Sequence, residues 1–319
     1  MRCRNADTAE KVKALTDKLE TGVKAVFESE QYKAYMKAMA KFHRYSFNNV
    51  MLILMQCPNA TAVAGFNTWK RQFGRTVKKG ESGIQILAPV PYKRIVESVK
   101  LDPVTKVPVL DANGKPVTET EYVVQQSYKI AYVFDVSQTE GRELPSYGAE
   151  ELTGNVQNYD AMLKAITELA PVPVVFSEQD GNARGRYVHS EQKIYLNSGM
   201  SQIDTISILI HETAHAILHA LPVKDGVVVG MPEKSRRTRE VEAESIAYIV
   251  CQHFGIETGD SAFACISKWS RDKELEELKT SLDCISRTSA EMIDAIESCI
   301  PELSMSQDKP EMSEKYFSR

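Results

Sequence analysis

Hydrophobic positions in the first 56 residues recur at helical spacing. Apolar side chains three or four positions apart mark one face of a helix at Val12, Leu15, Leu19, Val23 and Val26. A second apolar segment, NNVMLILMQ, stops before Cys57-Pro58, and a proline is a common stop signal for a helix. The pattern therefore predicts a helical amino-terminal region.

The hydrophobic pattern after residue 60 is typical of strands and turns. Glycines at positions 65, 74, 80 and 83 separate short β-prone runs, and YKIAYVFDVSQT predicts a later strand. Between these segments, residues 101–120 are polar and rich in turn residues, with Asn113-Gly114 as a hairpin signal. We expect residues 101–120 to project from the first domain.

The second half of the chain is predicted to be richer in helices. Residues 140–155 lack hydrophobic periodicity and predict a linker. The elements expected after it are a helix from Tyr159, strands at VPVVF and KIYLN, and helices at 203–222, 238–254 and 274–299. The predicted fold class is α+β in two domains, an α+β domain over 1–145 and a helix-rich domain over 155–300, followed by a flexible tail over 301–319.

Composition and charge narrow the class of protein. A chain of 319 residues is long enough for two cores. Its net charge of −4 means that any binding of nucleic acid must come from a local patch. There is no apolar signal segment at the amino terminus and no run near the roughly 18 apolar residues of a membrane span. Six scattered cysteines are expected to be reduced, so we predict a cytoplasmic protein with no membrane partner.

The segment IDTISILIHETAHAILHALP carries a metal-binding pattern on an apolar helix. His211 and His215 lie one helical turn apart and can reach the same ion, and neutral imidazoles suit Zn²⁺. Glu212 lies about 100° around the helix, where it can act as a general base without binding the metal. His219 lies one turn further on, and we expect it behind the metal ligands or facing solvent. The sequence therefore predicts a Zn²⁺ site through His211 and His215, with Glu212 catalytic.

A third ligand is expected from the next helix, RTREVEAESIAYIVCQHFG. Its apolar face centres on Ala243 and Ile246, with Glu240 and Glu242 flanking that face on opposite sides and Glu244 pointing away. Helical geometry alone leaves Glu240 and Glu242 as alternatives. A carboxylate at the start of a helix can also simply face solvent and complement the helix dipole.

The motifs HETAH and EAESIA, about 27 residues apart, resemble those of zinc-peptidase domains of the ImmA/IrrE type. In that family a glutamate followed by alanine, three more residues and another alanine supplies the third ligand. The resemblance places this pattern on Glu242, Ala243 and Ala247. It implies a zincin-like metallopeptidase fold with Glu242 as the third metal ligand.

The region around residues 66–100 is strongly basic and contains aromatic residues. This segment contains eight lysines or arginines and two acidic residues, which gives it a net charge of +6. Cations that neutralise phosphates, beside rings that stack on bases, are typical of single-stranded-DNA-binding surfaces. The alternative is a solvated basic face whose rings belong to the core. The candidate DNA contacts are Arg44, Tyr45, Phe47, Asn48, Asn49, Trp69, Lys70, Arg71, Arg75, Lys78 and Lys79.

Four linked motifs over about 50 residues resemble the amino-terminal single-stranded-DNA-binding domain of ArdC-type plasmid antirestriction proteins. They are YSFNN, QCPNAT, GFNTW and VKKGESGIQI, in that order. The order of this domain and the HETAH domain also resembles that family. The resemblance implies a protein of a mobile element that binds single-stranded DNA and protects incoming DNA from restriction.

Two other functions remain compatible with the same motifs. The chain could be a dedicated zinc endopeptidase whose amino-terminal half recruits a protein substrate. It could also be a DNA-binding protein whose zinc ion is purely structural. The three hypotheses differ in whether Glu212 takes part in a reaction and whether single-stranded DNA is a partner.

Overall fold

The computed structural model confirms the predicted α+β fold class. It describes residues 2–26, 29–102, 105–111, 113–144, 156, 158–178, 184–258, 269–270 and 273–300. The helices in this part of the chain are α1 (Arg2–Val26), α2 (Ser29–Lys41), α3 (Phe47–Gln56), α4 (Phe66–Arg71), α5 (Tyr159–Leu169), α6 (Gln202–Leu218), α7 (Arg236–His253) and α8 (Leu275–Cys299). Within the described ranges, no helix is long and apolar enough to cross a bilayer.

The strands form four small sheets. Their bounds are β1 (Val63–Gly65), β2 (Arg75–Val77), β3 (Ile84–Val99), β4 (Thr118–Asp135), β5 (Thr139–Gly141), β6 (Val174–Ser177), β7 (Gly185–Val188), β8 (Lys193–Asn197), β9 (Val223–Lys224) and β10 (Val227–Val228). The sheet orders are β1-β4-β3, β2-β5, β6-β8-β7 and β9-β10. Strand β6 pairs with β8 in parallel, whereas β7 pairs with β8, β1 with β4, β2 with β5 and β9 with β10 in antiparallel fashion.

The hairpin of β3 and β4 is longer than the sequence pattern predicts. The two strands contain 16 and 18 residues, so each extends about 50 Å or more. Successive side chains of β4 point to opposite faces, and one face carries Tyr122, Val124 and Tyr128 while the other carries Glu121 and Lys129. Tyr122 is 69% exposed and Tyr128 is 50% exposed. Residues 86–131 belong to a compact unit distinct from the one that contains α2 to α8.

The predicted projecting segment at 101–120 forms the far end of this hairpin. The backbone N–H of Lys100 donates to the carbonyl of Val117 at 2.8 Å, which joins the two long strands. Gly114 has a φ of 78°, a left-handed conformation that suits the glycine of the predicted Asn113-Gly114 turn. Residues 118–120 belong to β4 itself, so the projecting part is shorter than predicted.

The metal-motif helix lies between a sheet and other helices. α6 packs on β7 and β8 and lies beside α7, which in turn packs against α8. The face of α6 toward this core is fully buried at Ile206, Leu209 and Ile210. Helix α6 begins after Ser201, whose hydroxyl accepts a hydrogen bond from the N–H of Asp204 at 3.1 Å. The helix that carries HETAH is therefore anchored on the sheet and on α7.

Helices from the two predicted domains also contact each other. α2 packs against α7, where the Tyr32 and Ser245 hydroxyls are hydrogen-bonded at 2.8 Å in a buried position. The imidazole Nδ1 of His253 donates to the carbonyl of Ala40 at 2.8 Å. Residues 145–155 of the predicted linker and the predicted flexible tail at 301–319 lie outside the described residues. The domain boundaries stay a prediction.

Candidate metal centre

His211, His215 and Glu240 converge on one point between α6 and α7. The Nε2 atoms of His211 and His215 are 3.1 Å apart. The Oε2 atom of Glu240 is 3.6 Å from each of these nitrogens. Ligands of a tetrahedral ion with bonds of about 2.1 Å are about 3.4 Å from one another. The three atoms therefore have the spacing and the chemistry of three ligands to one divalent ion.

The structure places the predicted ligand Glu242 elsewhere. Residues two apart on a helix are about 200° apart around its axis, so Glu240 and Glu242 face different neighbours. Glu240 lies beside the histidine pair, and its side chain is 50% exposed. Glu242 is 0% exposed and is hydrogen-bonded to His219, Lys234 and Ser281. The geometry thus does not support the assignment of Glu242 and favours Glu240 as the third ligand.

Glu212, the predicted general base, is buried next to the histidine pair. Its Oε2 accepts a hydrogen bond from the backbone N–H of Tyr187 on β7 at 2.7 Å. Burial raises the pKa of Glu212, although the neighbouring histidines and this hydrogen bond oppose the rise. A carboxylate with a raised pKa is better suited to accept and return a proton near neutral pH.

The close approach of β7 to α6 depends on a glycine. A Cβ atom added at Gly185 would lie 2.4 Å from Cγ2 of Ile208 and 3.4 Å from Cγ of Glu212. Only a residue without a side chain allows the β7 backbone this near to the helix. The sequence pattern did not identify Gly185, because a lone glycine before a strand has many explanations.

Each histidine of the pair has a polar partner on its other ring nitrogen. The Nδ1 of His211 is 3.2 Å from Oε2 of Glu244, one turn beyond Glu240 on α7. The Nδ1 of His215 is 2.9 Å from Nδ1 of His219. The expectation that Glu244 points away is therefore wrong, because residues four apart on α7 share the face toward α6.

The charged groups around the centre shift the pKa values of His211 and Glu240. Burial lowers the pKa of His211, but the neighbouring carboxylates of Glu240 and Glu244 outweigh burial and raise the pKa to about 9. The same contacts with His211 and His215 lower the pKa of Glu240. Acidic groups thus surround the point where the three ligand atoms meet, which favours a cation there.

A second group of histidine and carboxylate side chains lies between α7, α8 and the segment after α2. Nε2 of His43 is 3.6 Å from Oδ1 of Asp294, and Nε2 of His253 is 2.8 Å from Oε1 of Glu297. Nη2 of Arg44 is 3.6 Å from both carboxylates. We call these five residues the arginine cluster. The sequence predicted Arg44 as a DNA contact and did not predict a metal site at this cluster.

Four of the candidate DNA contacts lie in the core. Tyr45, Phe47, Asn49 and Trp69 are buried, and Trp69 is only 1% exposed. The indole N–H of Trp69 donates to the carbonyl of Phe134 at 2.8 Å. The core alternative is therefore the better interpretation of these rings in the folded chain.

The other candidate contacts differ in how much of each reaches solvent. Lys70, Arg71 and Lys79 are exposed. Lys78 is exposed as well, and its Nζ donates to the carbonyl of Ser137 at 2.9 Å. Arg75 donates from Nε to Oγ1 of Thr139 at 2.7 Å, which ties β2 to β5.

Two further candidates are half-buried. Asn48 lies on α3, and Arg44 belongs to the arginine cluster. The aromatic side chains that do reach solvent include Phe66, Tyr92, Tyr122, Tyr128 and Tyr132. Exposure does not follow from residue type alone, so the sequence did not distinguish these rings from the core ones.

Two family models match successive parts of the chain. Residues 7–134 match the N-terminal domain of anti-restriction factor ArdC, and residues 171–251 match the IrrE N-terminal-like domain. An uncharacterised protein of Bacillus anthracis is 29% identical over 328 aligned positions, which cover 94% of this chain and 54% of the relative. The chain thus spans about half the length of that curated relative.

Two solved structures of similar fold are of one plasmid protein. The Mn(II)-bound crystal structure of antirestriction protein ArdC from plasmid R388 has a TM-score of 0.50 and 15% identity, over 88% of this chain and 97% of that chain. The metal-free structure of the same protein has a TM-score of 0.48 and 18% identity, over 79% of this chain and 84% of that chain. At this level of identity, the likeness concerns the fold alone.

Proposed function

Because the chain belongs to the family of ArdC-type antirestriction proteins, with an ArdC-type domain followed by an IrrE-like domain, we propose that it binds single-stranded DNA and carries a hydrolytic divalent-metal centre. Its role would be the protection of incoming DNA of a mobile element from restriction. The observation that carries the proposal is the convergence of His211, His215 and Glu240 beside the buried Glu212.

The proposed ligands are His211, His215 and Glu240, with Zn²⁺ as the ion. Two imidazole nitrogens and one carboxylate oxygen are a usual donor set for a catalytic zinc site, in which a fourth position remains for water or substrate. The plasmid relative was crystallised with Mn(II), so both metals belong in the test. When bound, the ion would supply Lewis-acid activation of water and of a carbonyl group.

Glu212 would move the proton in this centre. The backbone N–H of Tyr187 holds one carboxylate oxygen of Glu212 and leaves the other to accept a proton. Burial of Glu212 excludes bulk water from this carboxylate and raises its pKa, which suits a base that must later return the proton. A bound peptide is the substrate class that this arrangement would cleave, and a protein substrate would then be a second partner.

DNA binding would use exposed cations and exposed rings, in place of the buried ones. Lys70, Arg71 and Lys79 can neutralise phosphates, and the exposed Phe66 on α4 can stack on an unpaired base. On the hairpin, Tyr122 and Tyr128 point to the same face of β4 and can stack in the same way.

Metal content and DNA titration test the two parts of the proposal separately. Purified protein should bind one equivalent of Zn²⁺ or Mn²⁺, and Glu212→Gln should keep the metal and the DNA affinity while losing cleavage of an unstructured protein such as casein. Loaded wild-type protein without any cleavage would favour the purely structural metal. Cleavage without any affinity for DNA would favour the dedicated endopeptidase.

Paired variants locate the DNA surface. Affinity for a single-stranded oligonucleotide should exceed affinity for duplex DNA of the same length. The logarithm of the binding constant should fall linearly with the logarithm of the salt concentration, with a slope of about −0.7 per phosphate neutralised. Replacing Lys70, Arg71 and Lys79 by alanine should flatten this slope, whereas Lys164→Ala, an exposed lysine on α5, should not. Tyr122→Ala with Tyr128→Ala should weaken binding at constant slope. Val123→Ala, on the opposite face of β4, is the matched control.

A further inference from the structure

Resting on the proposed metal centre, we propose that Glu242 and His219 form a positioning relay for that centre. Glu242 acts through His219 to hold His215 in the tautomer whose Nε2 lone pair faces His211 and Glu240. Both residues lie behind the proposed ligands and would not contact a bound ion. Glu242 therefore influences the ligand His215 only through the side chain of His219.

The surroundings of Glu242 determine which atoms carry protons. Its Oε1 accepts hydrogen bonds from Nζ of Lys234 at 2.8 Å and from Oγ of Ser281 at 2.8 Å. Its Oε2 lies 2.9 Å from Nζ of Lys234 and 2.9 Å from Nε2 of His219. Because an ionised carboxylate only accepts, Nε2 of His219 must be the donor.

The tautomer of His219 then determines that of His215. A neutral imidazole with its proton on Nε2 has an acceptor at Nδ1. Nδ1 of His219 is 2.9 Å from Nδ1 of His215, so the proton of that hydrogen bond belongs to His215. Nε2 of His215 is left with its lone pair, at 3.1 Å from Nε2 of His211 and 3.6 Å from Oε2 of Glu240.

Charge and burial favour this arrangement over the reverse one. The ammonium of Lys234 already balances the charge of Glu242, so His219 need not be a cation. Reversing both imidazoles would place a lone pair of His219 against the carboxylate, inside a site where Glu242 is 0% exposed. His211 has a simpler support, because Glu244 contacts its Nδ1 directly and is 45% exposed. The two histidines are thus oriented from different sides, one from the interior and one from the surface.

The size of the expected effect comes from comparable groups behind metal ligands. Removing a hydrogen-bonding partner of a ligating histidine typically costs 10- to 100-fold in metal affinity. His219→Phe keeps an aromatic ring and removes both nitrogens. His219→Gln offers an amide oxygen to His215 and an amide N–H to Glu242, and so it can restore the relay.

Metal titration of the full chain, with Zn²⁺ and a competing chelator, tests the relay. His219→Phe should weaken metal binding by about 10- to 100-fold, and His219→Gln should recover most of this loss. His253→Gln is the matched control, because His253 also contacts a buried glutamate but contacts no ligand of the centre. If His219→Phe does not fold, Glu242→Gln replaces it with the same expected loss. Unchanged affinity in the folded variant would overturn the relay.

Nitrogen-15 NMR of the histidine rings in metal-free protein separates this inference from the proposed metal centre. In wild-type protein the proton of His215 should reside on Nδ1, and in His219→Phe it should distribute between both nitrogens. A wild-type protein that binds no metal but shows this tautomer refutes the metal centre and retains the relay. A proton on Nε2 of His215 in the wild type refutes the relay whatever the metal result.

Discussion

The centre of His211, His215 and Glu240 and the arginine cluster combine the same residue types in different ways. Both contain histidines and carboxylates close enough to hold an ion. In the first, Nε2 of each histidine faces the common point, and hydrogen-bond partners contact the other ring nitrogens. In the arginine cluster, the guanidinium of Arg44 lies 3.6 Å from both carboxylates.

The two clusters differ in what the ring nitrogens of their histidines face. His253 contacts the carbonyl of Ala40 with one nitrogen and Glu297 with the other, so both nitrogens face acceptors. The positive charge of Arg44 also opposes a cation at the same place. The arginine cluster thus links α2, α7 and α8, whereas the ring nitrogens of His211 and His215 and the carboxylate of Glu240 have the spacing of three ligands to one ion.

The largest expected effect is a loss of metal binding when a ligand in the centre of His211, His215 and Glu240 is replaced. His211→Ala should reduce affinity for Zn²⁺ at least about a thousandfold, or about 4 kcal/mol, because one of three ligands and its orientation are lost. His43→Ala in the arginine cluster should keep a full equivalent of metal. Metal analysis after dialysis measures both. Equal metal loss in the two variants would mean that metal binding is not confined to the centre of His211, His215 and Glu240.

The next effect concerns stability and should come from the arginine cluster. Glu297→Ala should lower the free energy of unfolding by about 3 kcal/mol, since a buried ion pair loses one partner and the change removes an acceptor of His253 and of Arg44. Urea unfolding of metal-free protein gives this value. Metal affinity should hardly change. A Glu297→Ala protein that keeps its stability but loses its metal would contradict the stabilising role assigned to the arginine cluster.

A smaller effect distinguishes the two carboxylates of α7. Glu240→Gln should weaken metal binding about a hundredfold, or about 2.7 kcal/mol, because the charged ligand oxygen is lost. It should leave stability without metal nearly unchanged, because the Glu240 side chain is 50% exposed. Glu242→Gln should show both a metal defect and a loss of stability, since its carboxylate is fully buried. The two variants are compared by calorimetric metal titration and by urea unfolding.

The smallest effect is expected at the exposed edge of the arginine cluster. The side chain of Asp294 is 54% exposed and lies 3.6 Å from His43 and from Arg44. Asp294→Asn should therefore change the free energy of unfolding, measured in urea, by less than about 1 kcal/mol. A change as large as that in Glu297→Ala would show that exposure does not decide the strength of these pairs.

Several elements could be predicted because their pattern is local. The histidine pair requires only that residues four apart share a helix face, and the helix around HETAH is apolar enough to be evident. The predicted helix at 274–299 corresponds to α8 nearly residue for residue. The hairpin was harder, because polar residues at 101–120 interrupt the apolar pattern and hide the length of β3 and β4.

The sequence by itself determined the periodic features of this protein: the longer helices, the spacing of His211 and His215, and the basic amino-terminal region. It did not predict α4, which lies in the region predicted as strands and turns. The tertiary structure decided which carboxylate meets the histidines and that Trp69 lies in the core. Glu242 finds its partners 8, 23 and 39 positions away, at Lys234, His219 and Ser281. No local pattern contains that information, because the rotation of α7 is set by its simultaneous packing against α2, α6 and α8.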